Sequence, residues 1–203
     1  MPSTHPHAKK PPRPGRGGGF FRAEWFHYCD ELPQITRWVR RWDFAATDAA
    51  GDWTAGGLMG LGVDGNYYLA DVQRDRLTPQ GVRLLICATA EADGPHVPVV
   101  IPEDPGQAGK DQVISYQREP RLQRFAVRGV RETGSKEVRA APFASKCEAG
   151  MVYLLRAPWN REFVGELTSW NPADKNATDD QIDFASGAFA ELTGHAPLSV
   201  GFI

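Results

Sequence analysis

Residues 37–45 read RWVRRWDFA, and the part of the chain with the pattern of β-strands begins here. Bulky apolar and charged side chains largely alternate before the segment runs into small residues, as a β-strand does where it leaves a sheet. Asp43 is therefore expected at a strand end. A carboxylate beside apolar side chains is costly there unless it meets solvent, a cation or a metal ion, although an aspartate that merely caps a loop is an equally simple interpretation.

The next two segments extend this strand into a three-stranded antiparallel meander. Residues 53–63 and 67–72 have the composition of strands, and the turn signal DGN at residues 64–66 separates them.

Beyond residue 78, predicted helices alternate with short apolar runs. The helices are expected at 78–91, 107–116, 137–147, 160–169 and 179–192, and the strands at 97–101, 124–130 and 151–155. The order βββαβαβαβαα predicts an α/β fold whose mixed central sheet is antiparallel in strands 1–3, parallel afterwards, and flanked by helices. This is the order of elements in the ribonuclease-H-like fold.

The composition fits a globular domain in a reducing compartment. The chain has 203 residues, 41% of them hydrophobic, which is enough for a substantial core. Its three cysteines form neither a zinc-binding spacing nor a disulfide framework, so the cytoplasm is the expected location. No apolar run approaches the roughly 18 residues of a membrane span, and no membrane association is expected.

Residues 1–19 differ from the rest of the chain. They are rich in Pro, Gly, His and Lys and cannot bury an apolar face, which predicts a flexible basic arm. The folded domain is expected to span residues 20–203. The net charge of −2 conceals local basic clusters, so overall charge argues neither for nor against a nucleic-acid partner.

A second acidic segment, IPEDPG at residues 101–106, follows the predicted fourth strand. Successive strand residues point to opposite faces, so only one of Glu103 and Asp104 should enter a shared site, and Asp104 is the primary candidate. The alternative role of Asp104 is an ordinary helix cap. The segment lacks the Gly-Lys-Ser/Thr ending of a Walker A motif, which excludes nucleotide binding there.

A third acidic segment, DDQID at residues 179–183, opens the last predicted helix. Asp183 is four residues from Asp179 and three from Asp180, so these side chains share a helix face and repel one another unless a positive group lies between them. A favourable interaction with the helix dipole accounts for Asp179 and Asp180 as well as a functional site does. It explains Asp183 less well, because that residue lies in an apolar stretch that should face the sheet.

The three acidic segments together predict a metal-dependent nuclease. Asp43 comes from the first strand, Asp104 from the fourth, and Asp180 and Asp183 from the last helix. Carboxylates gathered in this way suit hard divalent cations, and we expect a two-metal site that promotes phosphodiester hydrolysis.

With these segments, the chain resembles the C-terminal nuclease domain of the large terminase subunit of tailed bacteriophages. The resemblance covers roughly residues 20–193. Besides the acidic segments, it rests on YYLADV at residues 67–72 with Arg74, GSKEVRA at residues 134–140, and WN at residues 159–160 leading to EL at residues 166–167.

The resemblance implies a ribonuclease-H-like endonuclease that cuts double-stranded viral DNA during genome packaging, in an infected or lysogenic bacterial cell. It implies two Mg²⁺ or Mn²⁺ ions as cofactors, with catalytic metal ligands at Asp43, Asp104, Asp180 and Asp183 and with Asp179 ranked lower. The implied partners are double-stranded DNA, a terminase ATPase domain, the small terminase subunit and the portal. Because the sequence has no Walker motif, the chain is expected to be an excised domain or the product of a split gene.

Three basic residues are candidates for contacts to DNA phosphates: Lys110, Lys136 and Arg139. Lys136 and Arg139 lie one turn apart on a predicted helix, and Lys110 follows the second acidic segment. An ordinary solvated helix face accounts for them equally well.

Two other functions fit the same sequence. One is a non-catalytic DNA-binding or packaging-assembly module, in which the acids are structural. The other is a different ribonuclease-H-like nuclease, such as a Holliday-junction resolvase. Metal-dependent nicking separates the first from a nuclease, and a preference for branched DNA separates the second.

Overall fold

The ten residues Ile35–Phe44 form β2, the long strand to which the predicted acidic residue Asp43 belongs. The computed structural model describes residues 19–44, 53–174 and 177–194. The strands in chain order are β1 His27–Cys29, β2 Ile35–Phe44, β3 Thr54–Gly62, β4 Tyr67–Asp75, β5 Val99–Pro102, β6 Val127–Val130 and β7 Val152–Leu155.

These strands form one mixed sheet in the order β1-β7-β4-β3-β2-β5-β6. The β2, β3 and β4 strands form the antiparallel meander, and the other pairings are parallel. Arg41 on β2 lies opposite Val100 on β5, and Pro102 on β5 lies opposite Val130 on β6. The carboxyl ends of β2, β5 and β6 therefore meet at one edge of the sheet, the edge where α/β proteins build their sites.

Among the described residues, five α-helices cover the sheet: α1 Pro79–Asp93, α2 Gln107–Gln117, α3 Lys136–Glu148, α4 Asn160–Ser169 and α5 Asp180–Thr193. The starts of α1 and α3 are fixed by side-chain caps. The Thr78 hydroxyl accepts a hydrogen bond from the Gly81 amide at 3.2 Å, and the Ser135 hydroxyl accepts one from the Val138 amide at 3.3 Å. Such caps satisfy amides that have no partner within the helix.

The helices divide between the two faces of the sheet. Trp42 of β2 belongs to the core under α1 and α2, whereas Val39 belongs to the core under α3, α4 and α5. Because strand side chains alternate, Arg41 and Asp43 lie on the same side as Val39. The local sequence of β2 thus places the aspartate beneath the helix that carries the third acidic segment.

Glycines allow α5 to approach the sheet closely. A Cβ added at Gly57 on β3 would overlap the ring of Phe184 on α5. A Cβ added at Gly187 on α5 would lie 2.6 Å from Nε of Arg41. A side chain at either position would hold the helix away from the strands.

The predicted meander, the later parallel strands and the five helices are confirmed, with boundaries that differ by a few residues. The predicted order was wrong in omitting β1, which pairs in parallel with β7. That strand has only three residues, and His27 and Tyr28 are exposed, so it carries no alternation that a sequence pattern could reveal.

The predicted arm at residues 1–19 lies outside the described residues except for Gly19, and the division of the chain at residue 20 stays a prediction. Among the helices that the structure describes, none is long and apolar enough to cross a membrane.

We expect Gly57→Ala to destabilise the protein by about 1–3 kcal/mol, because the added methyl group must displace the buried ring of Phe184. Urea unfolding followed by tryptophan fluorescence measures the change. Gly165→Ala is the matched control, since Gly165 lies in α4 with open space around its Cβ position. Alanine there should be neutral or stabilise by up to about 1 kcal/mol. Equal unfolding midpoints for the two variants would contradict the close packing of α5 on β3.

Candidate active site

Asp43, the next-to-last residue of β2, is partly buried on the α5 side of the sheet. Burial raises the pKa of its carboxyl group well above the ordinary value. Three neighbouring carboxylates raise this pKa further, those of Asp183, Glu132 and Asp180, while Lys136 lowers it by a smaller amount. The structure therefore gathers negative charge around a carboxyl group that is poorly solvated.

Helix α5 carries Asp183 into the protein. Its neighbours Ile182 and Phe184 are fully buried, and Asp183 itself is only 6% exposed. The Oδ1 atom of Asp183 accepts a hydrogen bond from Nη2 of Arg139 at 2.8 Å. Its Oδ2 atom lies 2.7 Å from Nζ of Lys136. Both carboxylate oxygens of this residue thus face a basic group.

Lys136 lies between Asp179, the residue before α5, and Asp183 in the first turn of α5. Its Nζ atom is 2.6 Å from Oδ1 of Asp179 and 2.7 Å from Oδ2 of Asp183. Burial lowers the pKa of Lys136, but the hydrogen bonds and charges of the two aspartates outweigh burial and hold the pKa above its ordinary value. The positive group that the spacing of these like charges requires is therefore supplied by the first residue of α3.

Asp180 is partly buried beside a second ion pair. Burial, followed by the charge of Glu166, raises the pKa of Asp180 to about 6, against the lowering effects of a backbone hydrogen bond and of Arg74. Glu166 accepts hydrogen bonds from the backbone N and from Nε2 of Gln181, both at 2.8 Å, and lies 3.1 Å from Nη2 of Arg74. This network fixes the first turn of α5 next to Asp180.

Glu132 is a site residue that sequence reasoning missed. It lies two residues beyond β6, just as Asp104 lies two residues beyond β5. Its carboxylate is 3.0 Å from Nη2 of Arg41 and 2.6 Å from Nη2 of Arg139. The sequence signal that could have identified Glu132 was an acid two residues after a strand that lies beside β5. The sequence alone does not show which strands are neighbours in the sheet.

Six side chains of alternating charge form a continuous ion chain from β2 to α5. In order they are Arg41, Glu132, Arg139, Asp183, Lys136 and Asp179. The successive N–O distances are 3.0, 2.6, 2.8, 2.7 and 2.6 Å. Because the guanidinium of Arg41 is almost wholly buried, it requires a nearby negative charge such as Glu132.

Asp104 lies at the same edge of the sheet, in an exposed turn before α2. Its backbone packs on Gly109, where an added Cβ would overlap the Asp104 carbonyl oxygen. Glu103 is engaged elsewhere, since its Oε1 atom accepts a hydrogen bond from Nε of Arg131 at 2.9 Å. Lys110 is exposed on α2.

The structure thus brings together three of the four predicted carboxylates, Asp43, Asp180 and Asp183. It places Asp104 at the same edge of the sheet. None of the ion pairs of the described residues includes Asp104, so no basic side chain connects it to the other three carboxylates. Of the predicted phosphate-binding residues, Lys136 and Arg139 contact acids of the site itself.

The carboxylates suit a divalent cation by chemistry, because they are hard oxygen donors whose mutual repulsion raises the Asp43 pKa. Their arrangement is not one that could hold a metal ion as it stands. Within the described ranges, no group of three His, Cys, Asp or Glu side chains has a suitable geometry. The two oxygens of Asp183 are instead directed to Lys136 and Arg139.

A family described as the terminase RNaseH-like domain matches residues 40–191, which include the second half of β2, most of α5 and every acid discussed above. The chain belongs to this family. The match confirms the resemblance to terminase nuclease domains. Among curated proteins, no sequence matches the chain.

Solved structures of terminase nucleases share the fold. The large terminase nuclease from thermophilic phage G20c with bound magnesium has a TM-score of 0.60 at 16% identity, covering 87% of this chain and 99% of its own. The zinc-bound form has a TM-score of 0.59 at 15% identity, with coverage of 83% and 95%. The human cytomegalovirus terminase nuclease domain, soaked with manganese and bound to an inhibitor, has a TM-score of 0.58 at 9% identity, with coverage of 84% and 94%. The predicted ribonuclease-H-like fold is confirmed.

We expect Asp43→Asn to stabilise the metal-free protein at neutral pH. Folding raises the pKa of this carboxyl group, so folding disfavours its ionised form. The gain should be complete above the raised pKa and should vanish as the pH falls below about 3.9, the ordinary value for Asp. Urea unfolding in EDTA across this pH range measures it.

Asp111→Asn is the control for this experiment. Asp111 is exposed on α2, and its stability change should stay within about 0.5 kcal/mol at every pH. An Asp43→Asn protein less stable than wild type at pH 8 would contradict the electrostatic account of the site.

Proposed function

We propose that this chain is a metal-dependent endonuclease that cleaves double-stranded viral DNA during genome packaging. One observation carries the proposal: Asp43, at the carboxyl end of β2, is poorly solvated and is repelled by Asp183, Glu132 and Asp180. Such a cluster lowers stability, and a bound divalent cation would relieve the repulsion. Membership of the terminase RNaseH-like family supports the same assignment.

The residues that would hold two Mg²⁺ or Mn²⁺ ions are Asp43, Asp104, Asp180 and Asp183. When bound, such ions polarise the phosphoryl group and lower the pKa of an attacking water. The chain's own contribution is to position these carboxylates, with Asp43 fixed by the sheet and Asp183 by the buried face of α5. Asp180 lies with Asp183 in the first turn of α5, where its carboxylate is available as a ligand.

Relatives of the same fold support a divalent ion as cofactor. The phage G20c nuclease has been solved with magnesium and with zinc, and the human cytomegalovirus domain with manganese. For this chain, Mg²⁺ and Mn²⁺ are the proposed ions because its donor set consists of carboxylates, without the Cys and His ligands that zinc prefers.

Double-stranded DNA is the proposed substrate. Lys110 is exposed on α2 behind Asp104, and Lys136 lies at the start of α3 with a side chain that is 45% exposed. Arg139 follows one turn later. Phosphate contacts from these residues would position the duplex without reading its sequence. The proposed setting is the cytoplasm of a bacterial host, with a terminase ATPase domain, small subunit and portal as partners.

We expect the purified protein to nick or linearise plasmid DNA with Mn²⁺ or Mg²⁺ and not with EDTA. Asp43→Asn should reduce the rate at least about a hundredfold, since even outer partners of a metal ligand are worth about 10- to 100-fold. Gel assays of supercoiled plasmid measure this, and Asp111→Asn should cut at the wild-type rate. Full activity of Asp43→Asn would refute the assignment. A strong preference for a branched substrate over linear duplex would instead identify a resolvase-type nuclease.

A second pair of variants tests the turn after β5. Asp104→Asn should reduce cleavage by a similar factor, because its carboxylate is the proposed fourth ligand. Glu103→Gln should keep at least about half of the wild-type rate, because Glu103 pairs with Arg131 away from the site. The two changes are adjacent and remove the same charge. A difference in cleavage rate between the two variants therefore depends on the position of the lost carboxylate and not on the overall charge. Equal losses would show that only the overall charge of the turn matters.

A further inference from the structure

Both carboxylate oxygens of Asp183 are occupied by side chains of the protein itself. Arg139 binds Oδ1 at 2.8 Å and Lys136 binds Oδ2 at 2.7 Å. Lys136 also binds Oδ1 of Asp179 at 2.6 Å. A divalent cation that uses Asp183 must therefore displace one of the two basic groups, because positive charges a few ångströms apart repel strongly.

Of the two basic groups, Lys136 is the one that can leave. Its side chain is 45% exposed, against 20% for Arg139. Arg139 is also held by Glu132 at 2.6 Å and donates a hydrogen bond to the Gly134 carbonyl oxygen at 3.2 Å. Lys136 has a flexible stem, and the contacts of its ammonium with acids are those to Asp179 and Asp183 among the residues described.

The position of Lys136 in α3 also favours release of its ammonium from the aspartates. It is the first residue of the helix, directly after the Ser135 cap. A positive charge at a helix N-terminus interacts unfavourably with the helix dipole. Asp179 and Asp183 must therefore supply the interaction that holds the ammonium there. A phosphate group at the same place could replace the aspartates as its partner.

We propose that Lys136 is an internal counter-cation of Asp179 and Asp183 that a DNA phosphate draws away, so that DNA and divalent metal bind cooperatively. This inference rests on the proposed nuclease function. It accounts for the contacts of Asp183, whose carboxylate has the right chemistry for a divalent ion but is bound to Lys136 and Arg139. It also makes Lys136 a regulatory residue as well as a phosphate contact.

The first test compares Mn²⁺ binding by Lys136→Met and wild-type protein, measured by titration calorimetry without DNA. Removal of the competing ammonium should tighten Mn²⁺ binding about tenfold. The metal-free variant should also melt at a lower temperature than wild type, because Asp179 and Asp183 lose their shared partner. Unchanged or weaker Mn²⁺ binding would overturn the proposal, since it would mean that the ammonium does not compete with the metal.

Lys146→Met is the matched control. It removes one positive charge from the same helix, but the Lys146 ammonium lies 3.6 Å from Sδ of Met151 and outside the carboxylate cluster. Its Mn²⁺ affinity should equal that of wild type. If both variants bound Mn²⁺ more tightly by the same factor, the effect would come from the overall charge of the protein. That result would overturn the specific role of Lys136.

The second test measures the coupling to DNA with a short phosphorothioate duplex that resists hydrolysis. The duplex should tighten Mn²⁺ binding to wild-type protein several-fold more than to Lys136→Met, because the variant has no ammonium for a DNA phosphate to draw away from the carboxylates. Asp43→Asn with the same duplex corrects for Mn²⁺ bound by the DNA alone. An equal effect of the duplex on wild type and Lys136→Met would overturn the coupling.

The same measurements separate this inference from the proposed function. If wild-type protein cuts plasmid with Mn²⁺ but Lys136→Met binds the ion no more tightly than Lys146→Met, the nuclease stands and the counter-cation is refuted. If wild type, Lys136→Met and Asp43→Asn all fail to bind Mn²⁺, both proposals are refuted.

Discussion

The close packing of α5 on β2 and β3 is the constraint on which the site depends. Gly57 leaves room for the ring of Phe184, and Gly187 leaves room for the buried side chain of Arg41. With the helix held this near the sheet, Asp183 has little exposure and lies close enough to Asp43 to raise its pKa. A helix set farther out would leave the acids solvated and electrostatically independent of one another.

That proximity creates an electrostatic problem that the ion chain solves in part. Asp183 receives two basic partners, and Glu132 separates the buried Arg41 from Arg139. Asp43 receives no comparable partner from the described residues, and its pKa is raised first by burial and then by repulsion from the neighbouring carboxylates. Stability is therefore lowered at the position where a cation is proposed to bind, as is common at functional sites.

The fold tolerates wide sequence divergence. Terminase nucleases of a thermophilic phage and of human cytomegalovirus share it at 16% and 9% identity. Sheet registry and helix packing depend on apolar periodicity, which many sequences satisfy. The placement of the acids depends instead on where strands end relative to one another, and the carboxyl ends of β2, β5 and β6 meet at one edge of the sheet.

Local periodicity and turn residues are enough to predict the antiparallel meander, the alternating strands and helices, and the positions of Asp43, Asp104 and Asp183 near the ends of elements. The packing of the folded chain was needed to show that β6 lies beside β5, which brings in Glu132, and that Arg74 and Glu166 support the start of α5. It also decided that Lys136 and Arg139 face the acids. Contacts between residues dozens of positions apart depend on strand order and helix packing, and no local pattern specifies either of these.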